Sequence, residues 1–322
     1  MRFPGRVWLR AVVVDLAIGM LAAAGQAPLG LWPLALTGFG LVLWRVAAAA
    51  TPREAFLRGW RTGAGYFAAS LSWIVQPFFV EPEIYGWMAP FALVGMAGGL
   101  GLFWAAAGWL ARRLRGGPVG LALVLTAAEL ARGHVLTGFP WALPGHLWLS
   151  TPLAQVGSLT GAYGMTAMTL LSLAAPLAAG RRGLIVPALV LAVAGGWSWH
   201  RLSLPDPAAR PAFVRIVQPD IPQSLKWDRA TAQANLDTLL RLTALPGAPD
   251  LTIWPETAVP YLIAPGEAVP AAISAAAGGR AIVVGYQRDA GAQAWNSLAL
   301  IGPGGTIGPN YDKNHLVPFG EY

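Results

Sequence analysis

The sequence predicts a polytopic α-helical membrane domain over residues 1–203, followed by a smaller α/β layered domain over 204–322. Three observations carry this reading. Of the 322 residues, 55% are hydrophobic and only 11% charged, whereas a soluble globular domain is about 25% charged. Seven long apolar stretches all fall before about residue 200. From Pro205 onward the composition changes, and carboxylates, amides and both lysines of the chain gather there.

The same composition excludes several classes. So much apolar surface must be buried or dissolved in lipid, which excludes a disordered chain. The absence of cysteine removes a disulfide framework, a thiolate metal site and a cysteine nucleophile from these residues. The net charge of +7 comes from 22 Lys and Arg residues that are spread through connections and do not cluster on one face. No nucleic-acid partner is needed to explain it.

The apolar stretches run over 7–24, 30–50, 56–80, 88–114, 119–136, 161–179 and 184–199, each near the roughly 20 residues that a helix needs to cross a bilayer core. No small-residue cleavage pattern leads from the first stretch into a polar chain, so it reads as a retained helix. The connections alternate in charge. Arg2 and Arg6 precede the first stretch, Arg53, Arg58 and Arg61 surround the second connection, Arg112, Arg113 and Arg115 mark the fourth, and Arg181 and Arg182 the sixth. The intervening GQAPL, VEPEIYG and GFPWALPGHLWLSTP hold no Lys or Arg. By the positive-inside rule the N-terminus is cytoplasmic, and seven crossings leave everything after Trp199 outside. Trp32, Trp87, Trp148 and Trp197 near stretch ends fit an interfacial belt.

Polar residues interrupt the stretches at Asp15, Gln76, Glu129, Arg132 and His134. Charge at membrane depth is costly, which makes each a functional candidate. Glu129 and Arg132, three apart, can instead pair on one helix face, and His134 lies near the outer end, where an interfacial role suits it.

In the second domain, 212–217 is β-branched and apolar and ends in the turn-forming QPDIP. Residues 228–245 carry apolar positions at helical spacing, with Asp228 as the N-cap. Segments 250–254 and 281–286 read as strands, and 297–301 followed by Gly302-Pro303-Gly304-Gly305 reads as a strand and hairpin turn. Strands alternating with helices form a layered α/β domain.

Chemistry is sought where strands end. Glu256 follows an apolar strand in Trp254-Pro255-Glu256, a position suited to general acid/base work or, equally, to a surface carboxylate. The segment YDKNHLVPFGEY brings Lys313, His315 and Glu321 into a short, otherwise apolar stretch. A lysine there can keep a carboxylate ionised and stabilise an oxyanion.

The WPE, YDKNHLVPFGEY and QPDIPQSLKWD segments, GFPW at 138–141 and the preceding apolar stretches together resemble the apolipoprotein N-acyltransferases, membrane members of the nitrilase-like carbon–nitrogen hydrolases. The resemblance runs along the whole chain. It implies a nitrilase-like αββα domain, of which 204–322 is the N-terminal half, placed on the periplasmic side of the bacterial inner membrane. It also implies acyl transfer from a phospholipid to the α-amino group of the S-diacylglyceryl-cysteine of a lipoprotein, the last step of lipoprotein maturation, through a thioester and with no cofactor or metal. Carried over by motif, Glu256 is the general base and Lys313 the oxyanion lysine. Glu321 is an auxiliary acid/base group and Trp227 a positioning or substrate-contact residue, although a buried core aromatic fits Trp227 equally. The family triad does not use His315, for which packing is expected.

The family's nucleophilic cysteine and a last membrane helix follow the motif at which this sequence stops, Tyr322. The expectation is a truncated chain, inactive as written, in preference to a cysteine-free variant. Two other classes remain open: a membrane-anchored nitrilase-type amidase, and a non-catalytic transporter or scaffold motivated by Asp15 and the Glu129/Arg132 pair.

Overall fold

A computed structural model describes residues 4–208, 211–222, 225–226, 228–259, 267–290 and 293–316. The chain divides into two compact units, Met1–Pro205 and Asp206–Tyr322.

The first unit is helical. Its elements are α1 (Pro4–Ala23), α2 (Trp32–Ala47), α3 (Pro52–Ser70), the short α4 (Pro82–Tyr85), α5 (Ala89–Arg113), α6 (Gly117–Arg132), α7 (Gly157–Ala179) and α8 (Ile185–Ser203). Local chemistry sets several ends. Thr51 caps α3 by accepting the Glu54 N–H at 3.2 Å, and the Glu54 carboxylate reaches back to the Ala50 N–H at 2.8 Å. With Pro52 in the first turn, this is close to a capping box. The stretch 56–80 is not one helix as expected. It ends as α-helix at Ser70 and continues as a 3-10 segment, Ser72–Phe79, that contains Pro77. Proline removes a donor and clashes with the carbonyl one turn earlier, and Gln76 ends up exposed.

At the centre, α3 packs against α1 and α5. A Cβ on Gly19 of α1 would stand 2.0 Å from the Thr62 carbonyl oxygen of α3, so the close approach requires glycine, as in helix pairs that associate through small residues. Tyr66, Phe39 and Trp104 fill the space between, with Tyr66 and Trp104 stacked at 5.0 Å.

Polarity in this unit runs inward. Asp15 is fully buried between Arg45 at 2.8 Å and Arg61 at 3.5 Å. Glu129 is fully buried, accepts the Trp104 Nε1–H at 2.6 Å and pairs with Arg132. The Arg132 guanidinium also donates to the Phe139 carbonyl and lies 5.0 Å from the Phe67 ring centre. Large apolar side chains face outward, among them Phe91 at 70% and Val94 at 72% exposure. The runs Pro82–Arg113 and Pro152–Ser203 are long and apolar enough to cross a membrane by length and composition, and Trp32–Ala47 is apolar but shorter.

The second unit is built on one five-stranded sheet in the order β1 (Val214–Ile216), β2 (Leu251–Ile253), β3 (Ile282–Ala290), β4 (Gln293–Ile301) and β5 (Ile307–Asp312). The pairs β1–β2 and β2–β3 are parallel, and β3–β4 and β4–β5 are antiparallel. The parallel pairs need crossovers, supplied by α9 (Ala232–Thr243) and α10 (Ala268–Ala276). Asp228 does not cap α9 as expected. Thr231 occupies that position, while the Asp228 carboxylate accepts the Ala230 N–H at 2.9 Å in a preceding turn. Leu236 and Leu239 of α9 and Ile273 of α10 pack with Ile282, Val284 and Ile301 in one core, and Trp254 Nε1–H donates to Thr243 Oγ1 at 2.8 Å. Alternation sends the neighbouring residues to the other face, where Ile216, Leu298 and Leu300 are exposed.

Replacing Glu129 by Gln leaves the buried Arg132 guanidinium without its counter-charge. Loss of one partner of such a pair costs about 3–5 kcal/mol. Thermal unfolding of the purified chain is expected to fall well below the parent. An unchanged midpoint for Glu129→Gln would remove this pair from the account of the helical unit.

Candidate active site

The segment after β2 is held by β3. Trp254 N–H donates to the Val283 carbonyl at 2.9 Å and Ala258 N–H to the Gly285 carbonyl at 2.8 Å, while Val259 bridges to Tyr286. Between these anchors Pro255, Glu256 and Thr257 arch across Gly285. A Cβ on Gly285 would lie 2.5 Å from the Pro255 oxygen and 2.8 Å from the Glu256 Cα, so glycine is required beneath the arch. Thr257 has φ +48°, a conformation unfavourable for a β-branched residue.

On β4, Asn296 Nδ2–H donates to Glu256 Oε1. Lys313 follows β5 directly, its N–H donates to the Asn296 carbonyl at 2.9 Å, and its Nζ lies 3.6 Å from the same Glu256 Oε1. The chain's other lysine, Lys226, donates from Nζ to the Glu256 main-chain oxygen at 3.1 Å. Both lysines of the molecule therefore address one residue. Glu256 is 63% exposed and Lys313 32%, so charge and hydrogen bonding organise the pair more than burial does. The arch opens on a cleft of ≈ 180 Å³ lined by Gln218, Asp220, Lys226, Asn235 and Glu256, among others.

Behind Lys313, on the opposite side of the strands by alternation, Asp312 is clamped. Arg288 meets it with Nε at 3.2 Å and Nη2 at 2.7 Å, Ser297 Oγ donates at 2.6 Å, and the Arg288 guanidinium lies 3.9 Å from the Trp295 ring centre. The Arg288 hydrogen bonds first, then that of Ser297, hold the Asp312 carboxyl below its ordinary value of 3.8.

The structure thus brings Glu256 and Lys313 together. Trp227 and Glu321 lie outside the described residues. His315 is exposed, which corrects the expectation that it packs, because it stands beyond the end of β5 in a bend. Sequence reasoning missed Asn296, Gly285 and the Arg288–Asp312–Ser297 clamp. Their importance comes from the strand register, which pairs Arg288 with Trp295 and Ser297 with Asp312, and not from any local sequence feature. Among the described residues, no group of three or more His, Asp or Glu side chains is placed to hold a metal ion.

A lowered carboxyl contributes stability above its unfolded value, and that contribution disappears as pH falls through the folded value. Arg288→Gln is therefore expected to lower the thermal midpoint at neutral pH, with the gap to the parent narrowing as pH is taken below about 4. A gap of the same size at pH 7 and in acid would show that the clamp acts by packing alone.

Residues 18–175 match the apolipoprotein N-acyltransferase N-terminal domain, and residues 213–322 match the carbon–nitrogen hydrolases. The chain is 41% identical to the apolipoprotein N-acyltransferase of Caulobacter vibrioides, with 100% of this chain and 66% of the relative aligned. It is 35% identical to that of Sinorhizobium fredii over 97% of this chain and 65% of the relative. Against that of Brucella suis it is 34% identical over 100% of this chain and 68% of the relative. The 322 residues thus span about two thirds of the length of these relatives. With similarity of this extent in both units, the chain belongs to the apolipoprotein N-acyltransferase family.

Proposed function

We propose that these residues carry the base and the oxyanion-stabilising cation of an acyl transfer from a phospholipid to the α-amino group of a lipoprotein's S-diacylglyceryl-cysteine. The observation that carries this reading is the Glu256–Lys313 pair at 3.6 Å, with Glu256 lining a cleft, in a chain whose relatives are named apolipoprotein N-acyltransferase. In the first step a thiol attacks the ester carbonyl. Glu256 takes the thiol proton, a C–S bond forms, and negative charge on the carbonyl oxygen is met by the Lys313 ammonium. Collapse breaks the ester C–O bond, and the proton held by Glu256 goes to the departing alkoxide. In the second step the amine attacks the thioester, Glu256 accepts the amine proton, a C–N bond forms and the thiolate leaves. It is reprotonated from Glu256. The thiol is not among these 322 residues, which contain no cysteine. Trp227 and Glu321 are assigned contact and auxiliary proton-handling roles respectively, on the family motif alone.

The helical unit is assigned as a seven-span membrane domain of the bacterial inner membrane, with a cytoplasmic N-terminus and a periplasmic second unit. Outward-facing Phe91, Val94, Leu189 and Val193, together with inward-facing Asp15, Glu129 and Arg132, suit an apolar solvent in which charges must be satisfied internally. The exposed apolar residues Ile216, Leu298 and Leu300 suit the inner face of a two-sheet nitrilase-like sandwich.

Two experiments test these assignments. With a diacylglyceryl lipopeptide and phospholipid vesicles, the reading frame that carries these residues, expressed with a cysteine-bearing continuation, is expected to N-acylate the peptide. Glu256→Gln and Lys313→Ala are each expected to reduce the rate by about 100-fold or more, and the 322 residues alone form no thioester. Wild-type rates in either variant would remove that residue from the mechanism. Because the chain lacks cysteine, single introduced cysteines report topology cleanly. In spheroplasts, an impermeant maleimide is expected to label Glu83→Cys and Ser150→Cys but not Arg53→Cys or Arg181→Cys, and the reverse pattern would invert the orientation.

A further inference from the structure

We infer that Asn296 is the positioning residue of the site, fixing the base and the cation together and selecting which oxygen of Glu256 takes the proton. The inference rests on the reading of Glu256 as the base. Asn296 is the one described residue that binds both partners. Its side-chain amide donates to Glu256 Oε1, and its main-chain carbonyl accepts the Lys313 N–H at 2.9 Å. A single residue of β4 thereby ties the arch after β2 to the end of β5, so their separation does not depend on the flexible Lys313 stem. Lys313 Nζ approaches the same oxygen, Oε1, at 3.6 Å. With Asn296 and Lys313 both directed at Oε1, Oε2 is the oxygen that can accept a proton without displacing either donor.

Direction on the sheet supports the assignment. Ser297 faces Asp312 across the β4–β5 rung, so alternation turns Asn296 to the face that carries the Glu256 arch. A hydrogen bond to an ionised carboxylate is also worth more than one between neutral groups, and a base held in one rotamer enters the reaction already oriented.

Two variants separate donation from packing. Asn296→Ala removes the amide. Asn296→Asp keeps the shape and the main-chain bond to Lys313 but turns the donor into an acceptor. The first readout needs no turnover. In the 322-residue chain labelled with 13C-carboxyl glutamate, the infrared carboxylate band of Glu256, assigned by its loss in Glu256→Gln, is expected to shift in both variants. The second readout uses the acyl-transfer assay, in which kcat is expected to fall by roughly 10- to 100-fold in both variants, with KM for the phospholipid donor unchanged.

An unshifted band, or an Asn296→Asp variant with the parent's kcat, would overturn the inference. A loss expressed only in KM, or confined to Asn296→Ala, would do the same, since those results describe packing. The two readings also fail differently. A shifted band in a protein that transfers no acyl group would sink the proposed reaction and leave Asn296 as the anchor of Glu256. Acyl transfer with parental kcat in Asn296→Asp would sink only the role of Asn296.

Discussion

Tyr286, Ser297 and Asp312 stand side by side across β3, β4 and β5. Because successive side chains on a strand point to opposite faces, this rung decides which residues meet the Glu256 arch. It sends Gly285 and Asn296 toward the arch. It sends Tyr286, Ser297 and Asp312 the other way, where the Arg288 guanidinium covers the Asp312 charge. A slip of one residue would put a side chain beneath Pro255, where 2.5 Å of clearance permits none. The site is therefore a consequence of register as much as of the residues that carry charge.

The helical unit arranges its polar groups differently. Its interior holds Asp15 between two arginines and Glu129 between Arg132 and Trp104, while Phe91, Val94, Leu189 and Val193 face out. In water such an arrangement would waste apolar surface and pay for burying charge. It is the arrangement that the proposed membrane assignment calls for, since in lipid every polar group must find its partner inside the protein. The Arg132 contact to the Phe139 carbonyl also shows what the Glu129/Arg132 pair does locally: it fastens the GFPW segment to the end of α6.

The two residues most visible in the sequence, Glu256 and Lys313, were visible for local reasons. One follows an apolar strand through a proline, and the other is one of only two lysines in the chain. An α-helix covers most of each of the seven apolar stretches except 56–80, which is α-helical only to Ser70. The failures are equally local or equally distant. Helix α3 stops at Ser70, short of the apolar stretch that hydropathy alone extends to 80, and Thr231 begins α9 where Asp228 looked the better cap. Asn296 and Gly285 carried no signal of their own. Their importance depends on which residues of β2 and β5 lie beside them, and that pairing links positions up to 40 residues apart.

The central claim is that strand register brings the Glu256 carboxylate and the Lys313 ammonium into direct contact. Dipolar recoupling in the membrane-reconstituted chain, between 13Cδ-labelled glutamate and 15Nζ-labelled lysine, reads that distance. A short-range coupling consistent with the 3.6 Å N–O separation, lost in both Glu256→Gln and Lys313→Arg and retained in Lys226→Arg, is the predicted result. A spectrum with no such coupling, or with one that survives Lys313→Arg, would contradict the account.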